Sequence, residues 1–76
     1  MSERQFLDCK ELACPMPIVK ISRKMKSMSE GTQLEVEASD PAFRADIEAW
    51  TNRMGFALLE FDDGPVKRAV IEKSAA

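Results

Sequence analysis

Leu34-Glu35-Val36-Glu37-Ala38-Ser39-Asp40-Pro41, continued through Phe43, Ile47, Trp50 and Met54 to Gly55, is the stretch that decides the fold. Its first five residues alternate apolar and polar with period two, which predicts a strand with one buried and one wet face. The pattern then changes abruptly. Asp40 offers the carboxylate that accepts orphan backbone N–H groups at a helix N-cap, and Pro41 has the φ suited to the first helical position. Phe43, Ile47, Trp50 and Met54 follow at steps of 4, 3 and 4, an apolar stripe along one side of a helix, with Gly55 placed as its C-terminal stop.

Working outward, the N-terminal half also reads as a strand followed by a helix, without a sequence repeat. Gln5-Phe6-Leu7-Asp8-Cys9 reads as a first strand. From Pro17 the residues Ile18, Ile21, Met25 and Met28 recur at steps of 3, 4 and 3 and predict a first helix, closed by Ser29-Glu30-Gly31. On the C-terminal side, Ala57 to Phe61 and Val66 to Glu72 read as third and fourth strands, joined by the turn-forming Asp62-Asp63-Gly64-Pro65. The order β-α-β-α-β-β in so short a chain predicts an α/β two-layer sandwich: a four-stranded mixed sheet with both helices on one face. Phe43, Trp50, Met25, Met28 and Met54 are then core, and residues 1–76 form a single domain ordered from about 5 to 73.

The chain of 76 residues has room for one modest core and no deep pocket. Its net charge of −2 lacks the positive field that binds phosphate backbones, so nucleic acid is not the expected partner. Histidine is absent, which removes the commonest general base and metal ligand and excludes Ser-His-Asp and Cys-His arrangements within the chain. Neither a cofactor nor a metal site is expected: Cys9 and Cys14 are not spaced as a Cys-x-x-Cys pair and cannot complete a zinc site alone. No run approaches the length of a membrane span or signal peptide, so the reading is cytoplasmic, with reduced thiols and no membrane insertion.

Chemistry concentrates at Cys14-Pro15-Met16-Pro17. Pro15 and Pro17 fix φ and remove N–H groups where a first helical turn would leave them unpaired, so they start the helix without weakening it. Cys14 then stands at or next to the N-cap, where the helix dipole favours a thiolate. The competing reading is a buried thiol acting as a small hydrophobe. Lys20, Arg23, Lys24 and Lys26 follow with no acid between Pro15 and Met28; this segment is +4, and the other seven basic and thirteen acidic residues leave −6. Lys20, Arg23 and Lys24, with Met16 on the apolar rim, form a candidate docking face for an acidic partner, against the alternative of an ordinary solvated helix surface. Cys9 is either a core residue or a second thiol that caps Cys14, and Asp40 is a cap whose strand-to-helix position brings it towards the Cys14 rim.

Leu7-Asp8, Leu12-Ala13-Cys14-Pro15-Met16-Pro17, Gly31, Asp40-Pro41, Asp46-Ile47 and Gly55 follow one another from Phe6 to Lys73 in an order that resembles the TusA/SirA-like sulfur carriers. The resemblance implies the same two-layer fold and one cysteine, matching Cys14, that carries sulfane sulfur as a persulfide. It implies a cysteine desulfurase or rhodanese-like donor, and delivery to DsrE-type relay proteins in wobble-uridine tRNA thiolation or to other pathways such as sulfur oxidation. Glu11 stands where the family usually has Gly, and Trp50-Thr51 where many relatives have an aromatic residue and Cys. Cys9 is seen in a subset similar to domains fused or linked to other sulfur-metabolising proteins, which points away from the tRNA pathway. Such a carrier needs no general base of its own, because its partners supply the chemistry. Sulfur loading separates it from a free-standing enzyme that turns over a small donor and from a non-catalytic redox or regulatory binding module.

Overall fold

The period-two alternation of Leu34 to Ala38 is realised as a strand whose Leu34, Val36 and Ala38 are fully buried while Glu35 and Glu37 are half-buried on the opposite face. The computed structural model describes residues 4–13 and 15–73, so Cys14 lies outside the described residues. The elements are β1 (Arg4–Cys9), α1 (Met16–Lys26), β2 (Gln33–Ala38), α2 (Phe43–Met54), β3 (Ala57–Asp63) and β4 (Lys67–Glu72). The sheet order is β1-β2-β4-β3; β1 and β2 are parallel across the α1 connection, and β4 lies antiparallel to both of its neighbours. This is the expected mixed four-stranded sheet in a β-α-β-α-β-β chain.

The core lies between the sheet and the two helices. Ile21, Met25 and Met28 from the first helical segment and Phe43, Ile47 and Trp50 from α2 meet Leu34, Val36, Ala38, Ala69 and Ile71. Each of the larger side chains among them contributes about 1.5–3 kcal/mol by leaving water, the alanines less. Phe43 stacks on Phe61 with ring centres 6.1 Å apart, and Trp50 meets Phe56 edge-on at 5.6 Å. On the other face Val70 pairs with Glu35 on one side and Glu60 on the other. Arg68 bridges these two carboxylates at 2.9 and 3.5 Å, and Arg4 does so at 3.6 and 3.9 Å. Val70 is fully buried although no helix covers it, because the apolar stems of these charged side chains close over it.

Several boundaries differ from the sequence reading, each for a physical reason. α1 starts one residue before Pro17 and stops at Lys26, where the Ser27 hydroxyl and N–H both bond the Lys24 carbonyl. Gly31 does adopt positive φ, +86°, but in the turn into β2, where its N–H donates to Lys73 O at 2.7 Å, and not as the helix stop. Asp40 accepts the Ala42 N–H at 2.9 Å and so caps a preliminary turn, after which α2 begins at Phe43. Gly55 closes α2 with φ +77°, as expected.

Met54 is 43% exposed, not core. Thr51 takes the inward place in the last turn, its hydroxyl donating back to Ile47 O at 2.8 Å, a bond that an apolar-stripe count does not foresee. β3 continues through Asp62 and Asp63, which pair with Arg68 and Lys67, so the acids expected in the turn belong to the ladder. The register shifts between Leu58 and Glu60, leaving Leu59 as a bulge on this edge strand.

Candidate functional site around the Cys-Pro-Met-Pro loop

Residues 10–13 leave β1 in a turn tied down by one backbone bond and two side-chain bonds. The Lys10 N–H donates to the Asp8 carboxylate at 3.0 Å, the Leu12 N–H to Cys9 O at 3.1 Å, and the Ser39 hydroxyl to Lys10 O. Lys10 is further held by Glu37 at 3.2 Å. Past Cys14 the chain enters α1 with Pro15 as N-cap; its carbonyl accepts the Val19 N–H at 3.2 Å. Pro17 is buried and continues the inward line of Ile21 and Met25, so one proline of the motif anchors the helix start in the core while Pro15 stays exposed. The Met16 N–H is used by Ala13 O at 2.9 Å and the prolines have none. Stabilisation of an anion before α1 therefore rests on the helix dipole and on basic side chains more than on these three positions.

The two cysteines differ in setting. Cys9 ends β1 opposite Ala38, is fully buried, and has its thiol pKa pushed up by burial, with nearby Lys20 opposing the shift. It is a core thiol. Cys14 is flanked by Ala13, Pro15 and Met16, all exposed, Met16 to 47%.

Asp40 and the motif loop meet. Ser39, Asp40 and Pro41 line a cleft of about 300 Å³ together with Lys10, Glu11, Leu12 and Ala13. A second cleft of about 300 Å³ lies on the other side of the loop, lined by Asp8, Glu11, Leu12 and Lys20. On the helix side, Arg23 is exposed and Lys24 half-buried, and neither they nor Lys26 form an ion pair with the described residues. Lys20 differs from them: its ammonium reaches across to donate to Asp8 O at 3.3 Å, joining the first turns of α1 to the end of β1.

One residue went unforeseen. Lys73 donates to Met25 O at 2.6 Å and Met28 O at 2.8 Å, capping the carbonyl end of α1 from the far end of β4. A lysine after a final strand carries no local signal for such a contact. No three His, Cys, Asp or Glu side chains come together as a metal site among the described residues, and no helix is long and apolar enough to cross a membrane.

The β-α-β-α-β-β sandwich carries the Cys14-Pro15-Met16-Pro17 motif at the entry to its first helix, and residues 5–73 match the profile of a family described as sulfurtransferase TusA. The chain belongs to the TusA family. Among its relatives, Bacillus subtilis YrkI is 40% identical over 74 residues, 96% of this chain and 99% of that one. The sulfur carrier protein TusA of Allochromatium vinosum is 35% identical over 71 residues, 92% of this chain and 93% of that one. Bacillus subtilis YrkF is 43% identical over 68 residues, but the match takes in 88% of this chain and only 37% of that longer protein. In fold the chain is similar to a crystal structure of a SirA-like protein from Desulfitobacterium hafniense, with a TM-score of 0.78 at 19% identity over 92% of this chain and 97% of that one.

Proposed function

We propose that this chain is a sulfur carrier in which Cys14 holds sulfane sulfur as a persulfide, taking it from a cysteine desulfurase or rhodanese-like donor and passing it to a DsrE-type or other acceptor protein. The observation that carries this reading is the contrast between the two thiols. Cys9 is sealed in the core, whereas Cys14 adjoins exposed Ala13, Pro15 and Met16 at the start of α1. Family membership and the sulfur carrier name of the Allochromatium relative support it.

The chemistry is an exchange. The Cys14 thiolate attacks the outer sulfur of a donor persulfide, a new S–S bond forms on Cys14, the donor's S–S bond breaks, and the donor leaves as a thiolate with that electron pair. The reverse step against an acceptor thiolate unloads the sulfur. Neither step needs an oxidant or a base held by the carrier. Pro15 and Pro17 hold the loop–helix junction, Asp40 supports it from the α2 start, and Met16, Lys20, Arg23 and Lys24 meet the partner.

Incubation with a cysteine desulfurase and cysteine should add a sulfur atom to the protein, read by intact mass and removed by reductant. Cys14→Ser should abolish the gain and Cys9→Ala should keep it. Loading that survives Cys14→Ser would sink the assignment, and absence of loading from desulfurase and rhodanese donors alike would favour a non-catalytic binding module.

A further inference from the structure

The two clefts beside the motif loop share Glu11 and Leu12, so the Glu11 carboxylate borders the approach to the loop from both sides. The other carboxylates of this end are engaged. Asp8 holds the Lys10 N–H, Glu37 holds the Lys10 ammonium at 3.2 Å, and Asp40 holds the Ala42 N–H. Glu11 is exposed and makes no hydrogen bond or ion pair with the described residues. Across the second cleft stands Lys20, and beyond it along α1 stand Arg23 and Lys24, also without carboxylate partners among the described residues. The surface beside the motif loop is thus divided: on the strand side stands the Glu11 carboxylate, which feels the nearby Lys10 ammonium without being tied to it by an ion pair among the described residues, and on the helix side stand Lys20, Arg23 and Lys24.

We propose that the Cys14 end is a bipolar docking surface on which Glu11 selects a protein partner that presents a basic side chain to the strand side of the motif loop and acidic side chains to α1. Charge complementarity of this kind fixes the orientation of an encounter and penalises partners with the opposite arrangement. An unpaired exposed carboxylate costs little in the free protein, so its contribution appears when a partner's cation arrives or a partner's anion is turned away. The inference rests on the reading of Cys14 as the exchanging thiol and names the charge pattern of what it exchanges with.

The test uses two tetrapeptides of the form X-Gly-Cys-Gly, blocked at both ends, with Arg or Glu as X and the cysteine activated as a 2-pyridyl disulfide. The Cys14 thiolate attacks the peptide sulfur; a Cys14–peptide disulfide forms, the bond to the pyridyl sulfur breaks, and 2-thiopyridone leaves with the electron pair and is followed by absorbance. The Cys14→Ser protein serves as the blank for Cys9. In low salt, Glu11→Gln should lower the Arg-to-Glu rate ratio at least threefold, and salt should shrink the difference. Glu30→Gln, an exposed acid beyond the other end of α1, should leave the ratio within a factor of about 1.5 of wild type. An unchanged ratio in Glu11→Gln, or an equal change in Glu30→Gln, overturns the role of Glu11 while leaving Cys14 as the exchanging thiol. Failure of Cys14 to release thiopyridone from either peptide overturns both.

Discussion

In a Cys14→Ser protein, Cys9 is the sole thiol, and its rate of alkylation measures how often the core opens. Cys9 has no exposed surface, is paired with Ala38 along β1–β2, and packs in the cluster that holds Ile21 and Val36. Because this cluster is shared by both helices and the sheet, iodoacetamide reaches Cys9 only when the domain as a whole opens. At about 0.05–0.15 kcal/mol per residue, a chain of this length is stable by about 4 kcal/mol or more, so the open form is populated at about one part in 10³ or less. Labelling followed by mass should therefore run at least ~10³-fold slower than for the same protein unfolded in denaturant at the same pH. Urea supplies the second arm: with a slope of about 1 kcal/mol per molar, each molar should speed labelling about fivefold well below the unfolding midpoint. Native labelling within tenfold of the unfolded rate, or a rate indifferent to urea, would refute the sealed-core account of Cys9 and with it the contrast on which the role of Cys14 rests.

Two other outcomes test the surroundings of the site. Lys73→Met keeps the side-chain stem but removes two charge-assisted bonds to the carbonyl end of α1; it should cost about 2 kcal/mol in urea unfolding, and a change under about 0.5 kcal/mol would show the contact to be idle. Arg23→Glu with Lys24→Glu and Lys26→Glu should slow persulfide loading from an acidic donor at low salt with little loss of stability, whereas Lys20→Glu should also lower the unfolding midpoint, because Lys20 holds the Asp8 carbonyl.

The fold was legible because its two β-α units carry clean periodicities, although of the helix-end signals Gly55 alone acts where it was read, Gly31 serving the turn into β2. Gly55 stops α2 as read, and Asp40 caps a turn two residues ahead of α2. The Cys-Pro-Met-Pro motif was legible for the same local reason, since two prolines can be placed at a helix start from the sequence alone. What escaped depends on hydrogen bonds that a count of apolar positions does not register, most of them to partners distant in the chain. Thr51 is buried because its hydroxyl finds a carbonyl one turn back, Met54 is exposed in consequence, and Lys73 and Lys20 are defined by carbonyls that only the folded chain brings near. The strand order was not readable either: insertion of β4 between β2 and β3 is set by sheet pairing, to which no periodicity refers.

The paired lysine contacts of α1 have a consequence for recognition. Lys20 fastens the helix near its start to the carbonyl of Asp8, and Lys73 fastens its end through the carbonyls of Met25 and Met28. A helix tied to the sheet layer at both ends, by its own Lys20 side chain to the Asp8 carbonyl and by its own carbonyls to the Lys73 side chain, resists swinging outward to follow an incoming protein. Adjustment during an encounter then falls mainly to the partner, and the basic side chains are displayed on a platform whose spacing is held before and after contact. A binder of this kind forgoes the ordering cost that a mobile helix would add at every encounter. That suits a small carrier that has to engage and release successive proteins with the same few residues.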